Sequence, residues 1–143
     1  MKYKFTFFSL ILSFFFLSGC ATGPKFEEYA SSIPAIPDNA GRIYIYRTAT
    51  FGAAIQPGIK VNGEVVGKAV PQGFFFVDRP AGSYEVSAST EAKRSLSLNL
   101  DAGQERYVRL EVKMGLFAGH IKPVLVDNAE GKDEIKKTKY VGK

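Results

Sequence analysis

The sequence predicts an all-β fold, a single antiparallel β-sandwich of the immunoglobulin-like kind with seven or eight short strands. Two observations carry this. Between residues 42 and 126, apolar and polar side chains alternate with a period of two in short runs. Each run is bounded by glycine, proline, asparagine or aspartate, so that turn signals recur roughly every ten residues. An open barrel is the alternative arrangement of such strands, and no repeat long enough for a solenoid or propeller is found.

Taken in order, residues 42–47 put Ile43 and Ile45 on one face of a strand and Tyr44 and Tyr46 on the other, so both faces are partly apolar. Ile59-Lys60-Val61, Asn62-Gly63 and Glu64-Val65-Val66 read as a hairpin, because a type I′ turn needs positive φ at both central residues and Asn-Gly tolerates it best. Gly67 and Pro71 close the second of these strands. Residues 74–77 follow, then a turn over 79–82, then 83–89 with Tyr84, Val86 and Ala88 inward and Ser83, Glu85, Ser87 and Ser89 toward water. Leu96, Leu98 and Leu100 alternate with Ser95, Ser97 and Asn99, and Asp101-Ala102-Gly103 makes the next reversal. Val108, Leu110, Val112 and Met114 then alternate with Tyr107, Arg109, Glu111 and Lys113. A last strand covers 120–126, and 130–140 is either a short C-terminal helix or a terminal strand.

Ahead of this domain lies a segment of different character. Lys2 and Lys4 precede an almost wholly apolar run over 5–17, the form of a secretory signal, and the run is several residues short of the roughly 20 that a spanning helix needs. It ends in Leu17-Ser18-Gly19-Cys20, which resembles the bacterial lipobox in all four positions. The resemblance implies cleavage after Gly19 and a covalent diacylglycerol and N-acyl lipid on Cys20. An aspartate after the cysteine would imply retention in an inner membrane. Ala21 stands there, so for a Gram-negative source the resemblance implies the periplasmic face of the outer membrane. The expected organisation is thus a signal peptide over 1–19, a lipidated cysteine with a flexible, proline-punctuated tether over 20–41, from which Phe26 and Tyr29 could still dock on the fold, and the sandwich over 42–143.

Composition narrows the chemistry. Without Lys2 and Lys4 the chain carries 17 basic and 14 acidic side chains, too even a balance to imply nucleic acid. Cys20 is the only cysteine, so once it is lipidated no disulfide and no thiol ligand or nucleophile remains. His120 is the only histidine; a Ser-His-Asp set would use it with Asp127, no G-x-S-x-G elbow supports one, and the residue is expected to be a surface or capping imidazole. A metal would have to rely on carboxylates, and neither a P-loop nor a dinucleotide fingerprint is present. Carboxylate pairs such as Glu85 and Glu111 stay open for glycosidase chemistry. No cofactor is expected, and no metal.

Val61-Asn62-Gly63, Gly67, Pro71 and Gly82-Ser83-Tyr84-Glu85-Val86 resemble PEGA-type sandwich domains. Over nearly the whole chain the sequence resembles small bacterial lipoproteins whose domain has no assigned function. The chain departs from the PEGA pattern at Gln56-Pro57-Gly58-Ile59. The resemblance implies a binding or structural role in the envelope. If successive strands simply reverse, the turns at 62–63, 79–82 and 101–103 share one end, and the loops 48–56, 71–73, 90–93 and 115–119 share the other. Two of these long loops are apolar, which makes Phe51, Ile55, Leu116 and Phe117 candidate contact residues for a protein partner or membrane, or else a plug for the core. Tyr44, Tyr46 and Phe75 are expected to pack in the core, with a second candidate surface for stacking on sugars as the alternative, and the lysine-rich tail over 132–143 is a solvated end or a contact for anionic lipid or glycan. The expected function is a lipid-anchored, non-enzymatic module for an envelope protein partner; a glycan-binding module and, third, an envelope hydrolase are the alternatives.

Overall fold

A computed structural model describes residues 19–89 and 94–143; Leu17, Ser18 and the predicted loop over 90–93 lie outside the described residues. Eight strands follow one another as β1 (Ala40–Tyr46), β2 (Gly58–Val61), β3 (Glu64–Lys68), β4 (Gly73–Pro80), β5 (Gly82–Ala88), β6 (Ser95–Leu100), β7 (Glu105–Met114) and β8 (Gly119–Val126). A short helix α1 (Phe26–Tyr29) precedes them, and helix α2 (Asn128–Ile135) and a two-residue strand β9 (Lys139–Tyr140) follow, so the C-terminal segment forms both a helix and a strand. The strands make two sheets, β8-β7-β1-β4-β9 and β3-β2-β5-β6, packed as the expected sandwich.

One sheet is mixed rather than purely antiparallel. Each strand from β1 to β8 reverses its predecessor, so β1 and β7, six reversals apart, run the same way and pair in parallel when the chain returns to the first sheet. β9 likewise pairs in parallel with β4. The hairpin between β2 and β3 is as read: Asn62 and Gly63 have φ of 48° and 81°, and the Asn62 side chain accepts from the Glu85 backbone N–H at 2.8 Å.

Both faces of β1 are buried along its whole length. Ile43 and Ile45 enter the core between the sheets with Ile59, Val86, Leu100 and Ile121. Tyr44 and Tyr46 enter a second apolar layer on the outer side of the five-stranded sheet, with Phe74, Tyr107 and Ile135. That outer layer is roofed by α2 and by the N-terminal segment. The Tyr46 hydroxyl donates to Glu134 of α2, and Arg109 on β7 reaches Glu130 and Glu134 at 2.6 and 3.0 Å. Asp127 caps α2 by accepting from the Glu130 N–H.

The structure packs part of the 20–41 segment on the fold, Phe26 and Tyr29 included. Ala21 is buried and donates to the Pro71 carbonyl, Phe26 donates to the Thr138 carbonyl, and the Tyr140 N–H donates to the Pro24 carbonyl. Phe26 meets the Phe74 ring edge-on at 5.2 Å, and Tyr29 stacks on Tyr140 at 3.9 Å. The physical reason is the aromatic outer face of the sheet, which needs a cover and takes the nearest apolar side chains of the segment.

α2 lies close against the sheet at Gly131, where an added Cβ would collide with the Tyr107 ring. Helix propensity alone would make Gly131→Ala stabilising by about 1 kcal/mol. Overpacking costs about 1–3 kcal/mol and falls on a rigid ring, so the net expectation is destabilisation. Urea melts of the two proteins check this, the expected result being a lower midpoint for the variant.

Candidate functional site

The strand directions sort the connections as the alternation implied. The turns at 62–63 and 101–103 share one end with the start of β1; the loops 47–57, 69–72 and 115–118 share the other. This second end is organised by Arg47, the residue after β1. Its side chain is fully buried, and its guanidinium donates to five carbonyls: Ile55 at 2.6 Å, Ala69 at 2.8 Å, Phe51 and Gly52 at 2.9 Å, and Ala49 at 3.3 Å. No carboxylate pairs with it among the described residues. Burial pulls this guanidinium below its usual range. The loop 48–56 is therefore wound around a cation, its carbonyls turned in, and its apolar side chains are left to face elsewhere.

The four candidate contact residues divide. Ile55 turns inward and packs against the core, and its side chain occupies the space that a Cβ on Gly119 would need. It joins the two loops and closes the sandwich, so for Ile55 the plug reading holds. Phe51, Leu116 and Phe117 face solvent, at 62%, 97% and 100% exposure, and Met114 beside them is 65% exposed. The turn carrying Leu116 and Phe117 is fixed by the Gly115 N–H donating to the Ala118 carbonyl at 2.9 Å.

Cys20 lies at this same end. Ala21 is held to Pro71 at 3.1 Å, and the Gly19 carbonyl accepts from Gln56 Nε2 at 2.9 Å, in the loop that Arg47 organises. The cysteine, the apolar loops and the buried arginine thus form one constellation, although they are far apart in sequence. Reading strand by strand did not single out Arg47, yet the signal was there: it stands in phase with Ile43 and Ile45, on the inward face of β1.

Other candidates separate. Tyr44, Tyr46 and Phe75 are buried, the tyrosines beneath the outer layer and Phe75 between the sheets, so none offers a face to a sugar. His120 is buried rather than at the surface, and its Nε2 has no hydrogen-bond partner among the described residues. It opens β8 at the loop end, whereas Asp127 follows the other end of that strand, roughly 20 Å away at the ordinary rise per residue. Glu85 and Glu111 point outward from different sheets and cannot converge, and Glu111 is held by Arg109 and Lys113. Among the described residues no three of His, Cys, Asp and Glu are grouped so as to hold a metal ion, and the acids Glu111, Glu130 and Glu134 converge on Arg109 instead.

If the exposed tip is dispensable for folding, Leu116→Ala and Phe117→Ala change stability by no more than about 0.5 kcal/mol. Arg47→Met leaves buried carbonyls without their donor and should cost about 3 kcal/mol, since each unsatisfied buried acceptor costs about 1–3 kcal/mol. Ile55→Ala should cost about 2 kcal/mol. Denaturant midpoints measure all four, and tip variants as damaging as Arg47→Met would make the tip part of the core.

A Haemophilus influenzae protein described as an uncharacterized protein is 30% identical over 127 residues, covering 85% of this chain and 75% of that protein. No solved structure matches. The family model that matches spans residues 37–121, from the approach to β1 into β8, so it includes both apolar loops and Arg47 and leaves out Cys20 and the outer-layer helix α2. By this match, and by the relative that extends beyond it, the chain belongs to the family described as protein of unknown function, DUF2846.

Proposed function

We propose that this protein is a lipoprotein of the cell envelope, anchored at the periplasmic face of an outer membrane by a diacylglycerol and an N-acyl chain on Cys20. Its sandwich serves as a non-enzymatic module that holds another envelope protein near the membrane. The observation that carries this reading is the position of Cys20: the next residue, Ala21, is already buried and hydrogen-bonded to the fold. A lipid there couples the membrane to a rigid body rather than to a loose leash. Two or more acyl chains suffice for stable anchoring, whereas one gives only marginal binding. The non-enzymatic reading is supported by the separation of His120 from Asp127 and of Glu85 from Glu111.

The test is to express the full-length chain and Cys20→Ala in the source cells, crosslink, fractionate the membranes and identify what is captured. The expected result is a lipidated N-terminal peptide from the wild-type chain, loss of membrane attachment in the variant, and an envelope protein crosslinked by the anchored form alone. A variant that stays on the membrane to the same extent would overturn the anchor. An anchored protein that crosslinks to no protein would overturn the scaffold reading.

A further inference from the structure

The exposed apolar residues of the loop end need an occupant, and their surroundings restrict its chemistry. Phe51, Met114, Leu116 and Phe117 protrude on the same end as Cys20, and the segment from Gly19 to Ala21 is fixed between Gln56 and Pro71. After cleavage the Gly19 contact is lost, but Ala21 stays pinned, so a lipid on Cys20 leaves the fold within one residue of its attachment. Whatever surface the lipid enters must lie against this end.

Charge is distributed in the same sense. Lys68 ends β3 and Lys139 opens β9, both at the loop end, with Lys136 and Lys137 exposed just before it. Lys113, one residue before Met114, is shared with Glu111. Asp38, Glu64, Asp101, Glu105 and Asp127 sit at the opposite end, where Arg79 and Lys132 pair with Glu64 and Glu105 and Arg42 pairs with Asp78, so the lysines of the loop end are the less neutralised set. At this end the lysines lie on the β9 and β3 side and the apolar tip at the β8 edge; basic and apolar residues sharing one end match a bilayer that presents anionic headgroups above acyl chains.

We propose that this end is a membrane-seating surface: Phe51, Leu116 and Phe117 enter the interface of the phospholipid layer that holds the Cys20 lipid, and the lysines meet its anionic headgroups. This rests on Cys20 being lipidated. The sandwich then stands with its loop end down, and its 62–63 and 101–103 turns are the membrane-distal surface left for a partner.

The chain contains no tryptophan, so a single introduced indole reports its own position. Lipidated Phe117→Trp is reconstituted into vesicles of phosphatidylethanolamine and phosphatidylglycerol bearing brominated acyl chains, with Ala102→Trp at the opposite end as the comparison. Phe117 and Ala102 are both exposed, so neither change disturbs the fold. The expected result for Phe117→Trp is blue-shifted indole emission that falls about twofold with brominated lipid, as for a side chain about 5–10 Å into the headgroup boundary, with the emission of Ala102→Trp unaffected. Emission from Phe117→Trp as in water, quenched no more than that from Ala102→Trp while the protein floats with the vesicles, would overturn the proposal and leave the anchor standing. Protein that fails to float would overturn both.

Discussion

A guanidinium at the end of the central strand, removed from water without a carboxylate, has to be solvated by something, and in this fold it is solvated by backbone. Arg47 gathers the carbonyls of Ala49, Phe51, Gly52, Ile55 and Ala69, which belong to the long loop after β1 and to the connection before β4. Carbonyl dipoles stabilise the charge, and the charge satisfies carbonyls that would otherwise be buried without donors. An irregular loop can close the end of a sandwich only if its polar backbone is satisfied. Arg47 meets that condition, and the loop's side chains are thereby free to face outward, except Ile55, which locks against Gly119.

The second constraint is the aromatic outer face of the five-stranded sheet. A sandwich needs to bury only the inner faces of its sheets, and here Tyr44, Tyr46, Phe74 and Tyr107 make one outer face apolar as well. That face is covered by Ile135 of α2 and by Phe26, Tyr29 and Ile33 of the N-terminal segment. Arg109 with Glu130 and Glu134 sets the position of α2, and the parallel pairing of β9 with β4 ties the tail to the sheet. The segment after Cys20 becomes part of the fold because it covers this face.

The strands were legible because local alternation and turn chemistry determine them, and the sorting of loops to two ends followed from simple reversal. The outer layer was legible only in part, through Phe26 and Tyr29 as residues able to dock and a C-terminal segment able to form a helix or strand. α2 contributes Ile135 as its buried apolar side chain and contacts Tyr107 through Gly131, so its sequence carries little helical period. Phe26, Tyr29 and Ile33 are scattered through a proline-punctuated stretch, and their burial depends on a sheet assembled from residues far along the chain. The apolar tip was readable as a composition, but its proximity to Cys20 is a property of the fold. Arg47 was hidden in plain alternation: an arginine in phase with Ile43 and Ile45 signals a buried charge needing partners, and the partners become visible only with the loop in place.

A membrane-anchored domain on a loose leash samples all orientations; one whose first residue after the anchor is pinned presents a fixed end. A fixed end therefore requires the N-terminal segment to be part of the folded body. Amide hydrogen exchange of the lipidated protein, resolved to single residues, measures this directly. The N–H groups of Ala21 and Phe26, which donate to Pro71 and Thr138, and that of Tyr140, which donates to Pro24, are expected to exchange slowly and together with the sheet. Exchange of Ala21 and Phe26 at the rate of an unfolded peptide, while β1 and β7 stay protected, would instead mean a domain that turns freely on its anchor.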